Sequence, residues 1–183
     1  MMFRFGIFSF IMMVVFDVLL AWSLYLLLKP VNSKLSLLSA SLRLVNGTIF
    51  GVALYNLFGI LHLTAGDGYM QAFDASGLQF QIMLYLDAFN DTWLIGLIFF
   101  GIHLYFLGYL IMKSGYIPKF IGILLIIAAF GYLIDSLANF LLPEYESFAD
   151  VFMLIVVIPG VLGELSFTVW LLARGGKLEE REI

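Results

Sequence analysis

Ionisable side chains are scarce in this sequence, and four of them, Asp17, Arg43, His103 and Glu164, stand deep inside long apolar runs. A helix rises about 1.5 Å per residue, so their depths follow from the nearest basic residue at a run end. Glu164 precedes Arg174, and His103 precedes Lys113, by ten residues, or roughly 15 Å. Asp17, twelve before Lys29, comes out at about 18 Å, and Arg43, nine after Lys34, at about 13 Å. The four groups are therefore expected to share one layer. Charged groups are costly in hydrocarbon, and those that persist there pair or mark a pathway. One guanidinium cannot neutralise two carboxylates. Arg43 is expected to pair with Asp17 or Glu164, leaving the other acid to carry a proton, unless Arg43 snorkels to the headgroups.

A second polar set, His62, Asp87, Asp91, Asp135 and Asn139, lies towards the opposite run ends. If these residues met they would make a carboxylate-rich site suited to a hard cation. The alternative for Asp87 and Asp91 is simple solvation at headgroup level. No resident metal or cofactor is expected. The chain has no cysteine, which excludes disulfides, thiolate-bound zinc and iron–sulfur clusters. Two histidines are too few for a multi-histidine centre. Neither H-E-x-x-H nor G-x-S-x-G occurs, and Thr64-Ala65-Gly66-Asp67 lacks the first glycine of the intramembrane aspartyl protease motif. No catalytic set is identified.

The elements that must carry these residues are membrane helices. The composition is 63% hydrophobic and 12% charged, against roughly 25% charged in an ordinary soluble domain. Spanning hydrocarbon takes about 20 apolar residues, and five segments qualify: 5–28, 36–64, 80–112, 118–142 and 148–173, with a charged tail over 174–183. The expected fold is an all-α integral membrane bundle forming one domain. The first run is too long for a signal peptide and ends at Lys29-Pro30 without a small-residue cleavage site. Asp74 is placed to cap the third helix, Gly115 to end it, and Pro118 to open the fourth. Gly47 and Gly51 form a G-x-x-x-G stripe expected to contact another helix. Pro159 is expected to kink the fifth helix.

Orientation follows from retention of basic residues on the cytoplasmic side. Lys29, Lys34, Arg43, Lys113, Lys119, Arg174, Lys177 and Arg181 fall on one side, and Arg4 alone on the other, with Asp67, Asp74, Glu144, Glu146 and Asp150. The N-terminus is expected outside and the C-terminus in the cytoplasm. A net charge of -4 argues against nucleic acid as a partner.

An ordered set of short stretches carries a resemblance. It runs through Leu27-Leu28-Lys29-Pro30-Val31-Asn32, Arg43-Leu44-Val45 and Phe99-Phe100-Gly101-Ile102-His103-Leu104. It continues through Gly108-Tyr109-Leu110-Ile111-Met112-Lys113-Ser114-Gly115-Tyr116-Ile117-Pro118-Lys119, Gly131-Tyr132-Leu133-Ile134-Asp135-Ser136, Gly163-Glu164-Leu165 and Trp170-Leu171-Leu172. The chain resembles domain-of-unknown-function family 4386, a mostly bacterial set of multi-pass membrane proteins. The resemblance implies a place in the bacterial plasma membrane and no established activity. It also implies six helices, so the chain is expected to lack the usual first one. The expected role is a structural or accessory membrane component, with membrane lipid and either further copies of the chain or a larger membrane complex as the candidate partners. A proton-coupled carrier using the intramembrane carboxylates is the alternative, and an intramembrane enzyme ranks third.

Overall fold

The computed structural model describes residues 1–65 and 74–175. Five helices follow one another: α1 (Met2–Leu28), α2 (Ser33–Thr64), α3 (Ala75–Ser114), α4 (Lys119–Leu141) and α5 (Ala149–Arg174), with a 3-10 turn at Tyr145–Phe148 before the last. All five are long and apolar enough to cross a membrane. Their outward faces carry large apolar side chains such as Phe16, Trp22, Phe120 and Leu172, as a helix surrounded by lipid requires. The expected segments are all present, several of them longer than their apolar runs. Capping accounts for the extensions. Asn32 accepts a hydrogen bond from the Leu35 amide and starts α2 at Ser33. Asp74 accepts from the Gly77 amide at 2.8 Å and starts α3 at Ala75. At the other end of α3, Gly115 takes the left-handed conformation, φ 75°, which closes the tight turn into α4.

The Asp74 cap makes a pH-dependent contribution. The Gly77 amide, aided by the Ser76 hydroxyl, holds this carboxyl below its ordinary value of 3.8. The folded value is depressed, so the cap's contribution is present above 3.8 and lost as pH falls through the lowered value. The Gly77 amide should be protected from exchange, relative to a free peptide at the same pH, at neutral pH and lose that protection in strong acid, whereas Asp74→Ala should lack it throughout.

The helices pack in a row: α1 on α2, α2 on α3, α3 on α4, α4 on α5, with a lighter contact of α1 with α3. Two apolar clusters fill the row. One lies towards the end bearing Lys29, Lys113 and Lys119, and joins Leu24 and Leu28 of α1 to Leu107 and Ile111 of α3, Ile121 and Leu125 of α4 and Phe167 of α5. The other joins Ile7 of α1 to Leu54, Leu57 and Ile60 of α2 near the opposite end.

The closest helix crossings rest on glycines. A Cβ on Gly108 would stand 2.6 Å from the Gly122 carbonyl oxygen, and one on Gly122 would stand 2.6 Å from the Gly108 oxygen. The backbones of α3 and α4 therefore touch. Between α4 and α5, a Cβ on Gly131 would stand 2.6 Å from the Ile155 oxygen. That carbonyl lies four residues before Pro159, which has no N–H to offer it. Helix α5 continues through the proline.

The G-x-x-x-G stripe on α2 needs correction. Gly47 is buried, and a Cβ there would lie 3.5 Å from the Asp17 Cβ, so it is a helix contact. Gly51 is exposed, with nothing within 4 Å of a Cβ. The buried positions of α2 run through Ala40, Gly47 and Leu54, at a spacing of seven, and Gly51 has rotated off that seam. Gly51→Leu should leave thermal stability in detergent unchanged within about 0.5 kcal/mol. A drop of several degrees in the melting temperature would show that the seam is wider.

Candidate functional site

The polar layer assembles between the two apolar clusters. With no side chain at Gly47, α1 comes close to α2, and Asp17 reaches the guanidinium one turn away. Arg43 Nη2 donates to Asp17 Oδ1 at 2.6 Å, the one ion pair among the described residues. Asp17 is 8% exposed, so the pair is shielded from solvent as well as short. Arg43 Nη1 lies 3.3 Å from His103 Nε2. Arginine only donates, so Nε2 accepts and the imidazole proton sits on Nδ1. Nδ1 then donates to the Ser39 carbonyl at 2.8 Å. The Ser39 hydroxyl donates to the His103 carbonyl at 3.3 Å. Ser39 and Arg43 are one turn apart on α2 and hold the fully buried His103 of α3 between them.

The row continues through aromatic rings. The Arg43 guanidinium carbon lies 5.4 Å from the centre of the Phe100 ring, a cation–π contact. Phe100 meets Tyr132 of α4 edge to face, with centroids 5.2 Å apart. The Tyr132 hydroxyl donates to Glu164 Oε1 of α5 at 3.1 Å. Gly160 makes room for this bond, since a Cβ there would lie 3.2 Å from the hydroxyl. One continuous line thus runs from Asp17 on α1 to Glu164 on α5 and engages every helix.

All four residues placed in this layer by their depth take part in it. Arg43 turns inward to Asp17 and does not snorkel. Glu164 pairs with neither Arg43 nor His103, and reaches the others only through Tyr132 and Phe100. Those two aromatics were not singled out in the sequence. Nothing in their type marks them in a chain with nineteen phenylalanines and nine tyrosines. Three other buried polar groups, Arg43 Nε, both amide atoms of Asn46 and the Ser136 hydroxyl, have no hydrogen-bond partner among the described residues.

The second polar set does not come together, and no group of three or more potential metal ligands occurs among the described residues. Its residues stand on different faces: Tyr85 of α3 packs on Gly59 of α2 beside His62, while Asp87, two residues on, turns away from that groove. The 40 residues of α3 span roughly 60 Å, twice the hydrocarbon thickness of about 30 Å. Asp91 stands 23 residues before Ser114, about 35 Å along the helix, and both Asp87 and Asp91 are exposed. His62 lines a separate groove with Tyr55, Gly59 and Tyr85. Asp135 accepts from the Tyr145 hydroxyl at 2.7 Å; Asn139 lies one turn further along α4. Asp67, Lys177 and Arg181, which entered the count of charges at the two ends, lie outside the described residues.

The model of a domain of unknown function, DUF4386, matches residues 1–175. An uncharacterized protein of Archaeoglobus fulgidus is 34% identical over 176 residues, covering 96% of this chain and 87% of the relative. No solved structure matches. The chain belongs to the DUF4386 family.

Proposed function

We propose that this member of the DUF4386 family is a structural or accessory component of the cell membrane, whose polar layer fastens helices together. The observation that carries the reading is the bonding of Asp17, Arg43, His103 and Ser39 to one another inside α1, α2 and α3. A guanidinium already engaged by a carboxylate, an imidazole and an aromatic ring suits a fixed joint better than a moving carrier. The two end helices of the row, α1 and α5, are the least covered, and an accessory role in a homo-oligomer or larger complex would place neighbours there. Gathering of Lys29, Lys34, Lys113, Lys119 and Arg174 at one end of the row supports an outside N-terminus and a cytoplasmic C-terminus.

The test is reconstitution into proteoliposomes under a pH gradient and a membrane potential. The joint predicts proton and cation leakage equal to that of protein-free vesicles. Flux that disappears in Arg43→Gln would instead assign the layer to transport.

A further inference from the structure

A cavity at the basic end lies away from the polar layer. Its volume is about 490 Å³, and it opens between the α1–α2 turn and the last turn of α3. Pro30 and Asn32 line it from the turn, and Tyr109, Lys113, Ser114 and Tyr116 from α3 and the residues after it. None of its lining residues is acidic. The Lys113 ammonium has no carboxylate partner among the described residues and rests 5.8 Å from the centre of the Tyr109 ring. Lys29 and Lys34 flank the Pro30–Asn32 turn in sequence. The cavity walls are held in place. The Tyr116 hydroxyl donates to the Leu27 carbonyl at 2.6 Å, tying the α3–α4 turn to the end of α1. The Ser36 hydroxyl donates to the Tyr25 carbonyl at 2.9 Å, tying α2 to α1.

We propose that this cavity binds the phosphate headgroup of an anionic membrane lipid, with Lys113 as the principal cation. Three features favour a lipid headgroup. The cavity lies where the helices end, at headgroup depth for a spanning chain. Its cation has no carboxylate partner among the described residues, and the Asn32 amide and the Tyr109 hydroxyl line the same cavity. Basic pockets between helix ends on the cytoplasmic side are also suited to anionic headgroups. The inference is independent of the role proposed for the polar layer, since no residue is shared between them.

Native mass spectrometry of the detergent-solubilised full chain, titrated with phosphatidylglycerol or with phosphatidylcholine of the same acyl chains, tests it. Phosphatidylglycerol should bind tighter, and Lys113→Gln should weaken it about fivefold. Lys119→Gln, which removes the same charge from the same end but does not line the cavity, should leave binding unchanged. Equal affinity for the two lipids, or equal loss in the two variants, would overturn the proposal in favour of diffuse surface charge. Inorganic phosphate and glycerophosphate form the last arm. Either one displacing the lipid at micromolar concentration would overturn the lipid assignment and make this a site for soluble phosphate.

Discussion

Arg43→Gln should lower the stability of this protein more than any other single change in the polar layer. The guanidinium is the hub through which α1, α2 and α3 are joined. It donates to Asp17 at 2.6 Å and to His103 at 3.3 Å. Removing one partner of a buried ion pair costs about 3–5 kcal/mol, because the other charge is left without compensation. Here the abandoned group is the Asp17 carboxylate, buried beside Gly47. Asp17→Asn leaves a buried guanidinium instead, which still has His103 and the Phe100 ring, so its cost should be smaller. Thermal or denaturant unfolding in detergent measures both. A wild-type melting curve for Arg43→Gln would mean that the joint bears no load.

Gly108→Ala should be the most damaging single-methyl addition. Its Cβ would stand 2.6 Å from a backbone oxygen of α4 and 2.8 Å from Ile126 Cγ1. A side chain can rotate away, but the carbonyl cannot without moving the helix. Overpacking of this kind costs about 1–3 kcal/mol, and the contact is reciprocal, so Gly122→Ala should behave alike. The two together should cost less than the sum of the singles, since one separation of α3 from α4 relieves both clashes. Gly51→Leu, with open space around it, is the control. Equal melting of all these variants would mean that α3 and α4 do not meet at this crossing.

The depth of the polar layer was legible in the sequence because helix rise is fixed: counting residues from the basic run ends is enough to level Asp17, Arg43, His103 and Glu164. Which of them would touch was not legible, because contact depends on rotation about each helix axis and on its neighbours. Gly51 shows the difficulty. Four residues from Gly47 looks like one face, but the buried seam of α2 advances by seven, and Gly51 falls beside it. The glycines at the tightest crossings, Gly108, Gly122 and Gly131, form no short motif and meet across different helices. Tyr132 and Phe100 complete the link to Glu164, and in a chain so rich in aromatics only packing distinguishes them. Whether His62, Asp87, Asp91, Asp135 and Asn139 would meet or be solvated stayed open in the sequence for the same reason: Asp87 and Asp91 are exposed, while His62 faces a groove beside Tyr85. The caps, by contrast, act within four residues, and Asp74 and Gly115 could be read directly.

The claim that most needs testing is that Asp17 and Arg43 form a fixed bond that joins α1 to α2. A double-mutant cycle on Asp17→Asn and Arg43→Gln, read by unfolding in detergent, measures that bond directly. The structure predicts a coupling of about 2 kcal/mol, with the double variant more stable than Arg43→Gln alone. It also predicts that Glu164→Gln and Arg43→Gln add to within about 0.5 kcal/mol, because Glu164 bonds to Tyr132. Strict additivity for Asp17 and Arg43, or a larger coupling of Arg43 to Glu164, would contradict the account.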